Sequence, residues 1–103
     1  MNPSRLLRTL PAPWSERIFY RLFNGQQKRF GELFERSALR LAPSMSMTGL
    51  VVGDVISGQI AFNGFYEYEL SKRILELSKQ GGLLVDVGAN IGYFTLLWLS
   101  GQS

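Results

Sequence analysis

The stretch LLVDVGANIGYF, residues 83–94, runs from three aliphatic positions through Asp86 and Val87 into Gly88, Ala89 and Asn90, and after Gly92 into Tyr93 and Phe94. An ionised carboxylate inside a sheet loses on the order of several kcal/mol of hydration unless it is partnered. Asp86 is therefore expected at a strand tip, facing polar groups such as a ligand's amine. Gly88 and Gly92 permit a sharp turn and a close approach of the backbone to a ligand, and Asn90 tolerates a left-handed conformation. Residues 83–87 read as a strand buried on both faces, and the segment as the strand-turn-helix corner outside which open α/β sheets bind ligands.

Spacing narrows the ligand. The dinucleotide fingerprint G-x-G-x-x-G would place glycine at 88, 90 and 93, but those positions hold Gly, Asn and Tyr. A phosphate-binding P-loop is approached only by GDVISGQI from Gly53, which offers Gln59 and Ile60 where Lys and Ser or Thr are needed. The D-x-G-x-N-x-G string of Asp86, Gly88, Asn90 and Gly92 instead resembles motif I of class I S-adenosylmethionine-dependent methyltransferases. VDVGANIGYFTLL, residues 85–97, resembles the FkbM family in particular. GFYEYEL, residues 64–70, followed by a helix and GGLLVDVGANIGYF, is similar to the segment leading into that family's core. The resemblance covers roughly residues 50 to 100.

The resemblance implies an α/β chain holding the start of a Rossmann-like methyltransferase fold, with S-adenosylmethionine as cofactor. By that analogy Asp86 positions the methionine amino group, and the turn of Gly88, Ala89, Asn90 and Gly92 packs against the methionine and ribose. Tyr93 and Glu67, with Tyr66, are placed at the rim, where each also reads as a core-edge tyrosine or a solvated charge. The implied reaction is methyl transfer to a small-molecule acceptor, typically a hydroxyl of a sugar or polyketide. No residue is assigned as catalytic, because methyl transfer rests heavily on aligning the acceptor with the sulfonium.

Composition agrees with a folded domain. The 103 residues are 46% hydrophobic and 13% aromatic, enough apolar material for a core. Cysteine and histidine are both absent, which removes disulfides, thiol nucleophiles and the commonest metal ligands, so no metal site is expected. Of the formal net charge of +3, residues 1–40 hold eight basic against three acidic side chains, or +5, and the remainder three against five. That asymmetry raises a second reading, a non-enzymatic basic helical module binding nucleic acid or an anionic membrane surface. Neither predicted helix in this region shows a clean basic face, so no nucleic-acid partner is expected. No run approaches the roughly 18 apolar residues of a transmembrane segment, and the chain reads as cytoplasmic.

Along the chain, Pro3, Pro11 and Pro13 suggest a loose leader over residues 1–13. Trp14, Ile18, Leu22 and Phe23 recur at helical spacing up to the Asn24-Gly25 stop, and a second helix is predicted over 26–41. Gly53-Asp54 between LVV and VIS reads as a two-residue β-hairpin turn, with Ile56, Ile60 and Phe62 on the buried face of the following strand. Tyr66, Leu70, Ile74 and Leu77 predict a helix in which Glu69 pairs with Arg73, closed by Gly81-Gly82. Trp14 and Trp98 are assigned to packing.

The expected organisation is a basic helical segment over 1–43, then a hairpin, a helix and the first strand-turn-helix of a methyltransferase domain over 44–103. The sheet is incomplete, since no parallel partner for strand 83–87 is evident. An acid about 20 residues past the turn, expected to hold the ribose, would fall beyond Ser103. The chain thus reads as the first part of a longer methyltransferase, inactive alone, or as one whose sheet a partner chain completes. Left uncovered, its last helix would expose Phe94, Leu97 and Trp98.

Overall fold

Asp54 opens the helix around which the rest of the chain is arranged: its carboxylate accepts from the Ser57 amide at 2.8 Å, the geometry of an N-cap. The computed structural model describes residues 2–84 and 92–102. Its elements are α1 (Pro3–Leu7), α2 (Ala12–Ile18), a π-helical turn (Phe19–Phe23), a 3-10 helical stretch (Asn24–Phe34), β1 (Ser37–Ala38), β2 (Ser46–Met47), α3 (Val55–Asn63), α4 (Tyr68–Ser78) and α5 (Tyr93–Ser100). The two short strands pair antiparallel, Ser37 opposite Met47 and Ala38 opposite Ser46. The described chain is thus mainly helical with one two-stranded sheet.

The hairpin expected at Gly53-Asp54 is a helix start, and the segment read as an alternating strand is α3. Residues 57 to 65 are all buried, so α3 is covered on every side. With Ser57, Gln59 and Asn63 buried along with its apolar residues, α3 shows no 3.6-residue period, which leaves it looking like a buried strand. Its ends carry the information instead. Gly64 closes it with φ 81, a left-handed conformation that glycine adopts without strain, and donates to the Ile60 carbonyl at 2.9 Å.

Phe62 is the centre of the core. Its ring lies 5.4 Å from Phe19, 5.3 Å from Phe23, 5.7 Å from Phe30 and 6.1 Å from Phe34, centroid to centroid. Truncating a buried ring of this kind to alanine costs about 3–5 kcal/mol. Gly58 lets α3 approach its neighbours, since a Cβ there would lie 2.8 Å from the Phe19 ring. Because α3 packs against α1, α2 and the π-helical and 3-10 segments, the core crosses the boundary expected at residue 43.

Residues 2–13 are no loose leader. The Ser4 hydroxyl donates to the Phe62 carbonyl at 2.6 Å, and Leu7 is fully buried. Arg8 donates from Nε to Ser4 Oγ (2.7 Å), from Nη2 to Ser37 Oγ (2.7 Å) and from Nη1 to the Ala38 carbonyl (2.6 Å). It also reaches the Ile60 and Ala61 carbonyls at 3.4 Å, where a cation suits the negative end of α3. Burial, and then Arg40, hold its pKa below the ordinary arginine value. Arg40 itself donates to the Leu10 and Leu7 carbonyls and lies 5.4 Å from the Phe65 ring.

The helix predicted over 26–41 is the 3-10 stretch, irregular at Gln26 and Phe30, followed by β1. The helical backbone breaks just past the Asn24-Gly25 stop, at Gln26, and again at Phe30. Gln27, buried in this segment, accepts from the Gly53 amide at 2.7 Å and so ties the approach to α3 to the 3-10 stretch. Trp14 is 58% exposed, contrary to its assignment to packing.

Candidate functional site

The corner that carries the sequence argument enters α5. Asp86, Gly88, Ala89 and Asn90 lie outside the described residues, as do positions 85–87 of the expected strand. Leu83 and Leu84 are described; neither is in a strand, and Leu83 is 86% exposed where burial was expected. Gly92 precedes α5 with φ 82 and ψ 14, so this position demands what only glycine supplies cheaply. Apart from its chain neighbours, no described residue comes within 4 Å of where a side chain at 92 would begin.

Tyr93, expected at a pocket rim, is buried in the packing between α5 and α4. Its hydroxyl donates to Ser71 Oγ at 3.0 Å, and Ser71 Oγ donates to the Tyr66 carbonyl at 2.6 Å. Burial raises the Tyr93 pKa, while hydrogen bonding of its hydroxyl with Ser71 and with the Tyr66 backbone pulls the other way. The relay joins the start of α5 to the loop that holds Tyr66 and Glu67, and the Tyr66 and Phe94 rings lie 6.3 Å apart.

Glu67 is exposed and sits just before α4 with φ 48, the one described residue other than glycine in left-handed backbone. Its carboxylate makes no capping bond to α4, while its carbonyl accepts from the Ser71 amide at 2.9 Å. A left-handed residue with a Cβ costs about 1–2 kcal/mol and persists only where its surroundings hold it. The neighbourhood is acidic: burial raises the Glu16 pKa first, and then Glu67 and Glu69 raise it further. Tyr66 is raised by burial, then by Glu67, with smaller contributions from Tyr20 and Asp54.

The structure therefore brings Gly92, Tyr93, Tyr66 and Glu67 into one neighbourhood, with Tyr93 facing inward. Sequence reading missed Ser71. Its signal was a small polar residue seven positions before Ser78, both of them buried on the face of α4 that receives α5. Small side chains let α5 pack close, while Leu70 and Leu77, which set the predicted helical spacing, are 45% and 37% exposed. The ion pair on α4 joins Arg73 to Glu76, one turn after it, at 3.9 Å, rather than to Glu69, one turn before it. On α5, Leu97 is buried and Phe94 and Trp98 are half-buried, while Leu99 is 54% exposed.

No family model, curated protein or solved structure matches this chain. No helix among the described residues is long and apolar enough to cross a membrane.

Proposed function

We propose that this chain carries the cofactor corner of an S-adenosylmethionine-dependent methyltransferase of Rossmann-like architecture, acting on a hydroxyl of a sugar or polyketide-like acceptor. The observation that carries the reading is the D-x-G-x-N-x-G string ending in a left-handed Gly92 that launches α5 beside the Glu67 loop. The described residues fit such a ligand in two respects. No described residue beyond its chain neighbours crowds Gly92, and the carboxylates near Glu67 favour a cationic group such as a sulfonium or ammonium.

In this reading the cofactor, when bound, supplies an activated methyl group. Asp86 orients the ammonium, and Gly88, Ala89, Asn90 and Gly92 allow the backbone close approach. Glu67 adds negative potential at the rim, and the Tyr93–Ser71 relay keeps that rim in register with α5.

The test is a titration of the ¹⁵N-labelled chain with S-adenosylhomocysteine, using adenosine as control. Shifts should concentrate at residues 83–94 and Glu67, and Asp86→Ala should weaken binding about tenfold, the worth of one lost charge-assisted hydrogen bond. Absence of any shift at millimolar ligand, or shifts unaffected by Asp86→Ala, would overturn the reading.

A further inference from the structure

A second surface, independent of the methyltransferase reading, lies on α2 and the π-helical turn that continues it. Trp14, Arg17, Ile18, Arg21 and Leu22 line one shallow cleft of about 490 Å³. They follow the i, i+3, i+4, i+7, i+8 pattern of a single helical face, turned outward except at Ile18, which is half-buried against the core. Trp14 is 58% and Leu22 56% exposed, and Arg17 and Arg21 are exposed beside them. The Arg17 guanidinium stands 5.9 Å from the centroid of the Trp14 ring.

We infer that this face docks on an anionic lipid membrane surface, lying in the interfacial plane with Trp14, Ile18 and Leu22 in the headgroup boundary and Arg17 and Arg21 on lipid phosphates and carboxylates. Charge complementarity selects the occupant. Both arginines line the cleft, no acid does, and among the described residues neither arginine takes part in an ion pair. Glu16, the acid on the same helix, is outside the cleft lining and interacts with Glu67 and Glu69. A tryptophan has an apolar body and a single polar N–H, which suits the water–acyl boundary, and arginine can lay its stem along apolar surface while its head stays wet. Nucleic acid would engage the arginines and leave the exposed Leu22 unused, whereas an interfacial membrane site uses both kinds of residue.

The test uses the full chain with Trp98→Phe, so that Trp14 is the sole tryptophan and can be excited selectively, mixed with phosphatidylcholine vesicles with or without roughly a third phosphatidylserine. Trp14 emission should shift to the blue only with the anionic vesicles, and added salt should reverse the shift. Co-sedimentation of the wild-type chain should follow the same pattern. Arg17→Gln and Arg21→Gln should each weaken partitioning about fivefold and together roughly thirtyfold, while the circular dichroism of these surface variants stays that of the parent. Trp14→Ala should also lower co-sedimentation. The proposal is overturned by no association with anionic vesicles, by equal association with neutral ones, by indifference to both arginines, or by binding to duplex DNA in preference to vesicles.

Discussion

Glu16 and Glu67 show what single residues store in this chain. Glu67 holds a left-handed backbone that a Cβ disfavours, and Glu16 shares an acidic neighbourhood with Glu67 and Glu69. Because the Glu16 carboxyl is raised in the folded chain, its ionisation costs stability. That cost is absent below the ordinary glutamate range and grows as pH rises through the raised value. Glu16→Gln should therefore raise the melting temperature at neutral pH and leave it unchanged at acidic pH below that range. Thermal melts at both pH values check this, and a variant no more stable than the parent at neutral pH would contradict it. Little of this was legible beforehand: Glu67 was singled out by its place near the resemblance and Glu69 lies two residues on, while the left-handed backbone of Glu67 and the approach of Glu16 are tertiary facts.

At the scale of elements, α3 is the instructive case. Its sequence, VISGQIAFN, alternates apolar and small or polar residues and contains β-branched side chains, so its interior pattern favours a strand. The end signals decide otherwise, with Asp54 capping the first turn and Gly64 the last. Asp54→Ala removes one cap and should destabilise the chain by about 1 kcal/mol. The urea midpoint reads this loss, and an unchanged midpoint would mean that surrounding contacts hold α3 without its cap. The helix over 68–78 was legible because α4 is half-solvated and keeps its period. Which of its faces is inward was not, because Ser71 and Ser78 are buried by the close approach of α5 while Leu70 and Leu77 remain exposed.

Across the whole molecule, packing divides unevenly. α1, α2 and the 3-10 stretch close around α3 and the Phe62 ring, with Arg8 and Arg40 bonding backbone carbonyls across these elements. α4 and α5 pack chiefly on each other. Regions with fewer buried apolar contacts open at lower free energy. Amide hydrogen exchange should therefore be faster in 68–78 and 93–100 than in 57–63. Uniform protection across the three helices would show that they open only together.

Local chemistry determined what could be read without coordinates. The α4 helix, the helix after Gly92, the helical propensity from Trp14 onward and the glycine-rich corner all follow from spacing within a few residues. The corner also suggested a methyltransferase cofactor, with Asp86, Gly88, Ala89 and Asn90 outside the described residues and Gly92 left-handed at its end. Tertiary structure alone decided that 55–63 is a central helix, that residues 2–13 are anchored, and that Trp14 faces outward while Tyr93 faces inward. Each of these depends on which distant segment arrives to cover a side chain. Burial on all sides erases the periodicity from which a sequence is read, and an apolar residue does not encode whether its neighbour will come.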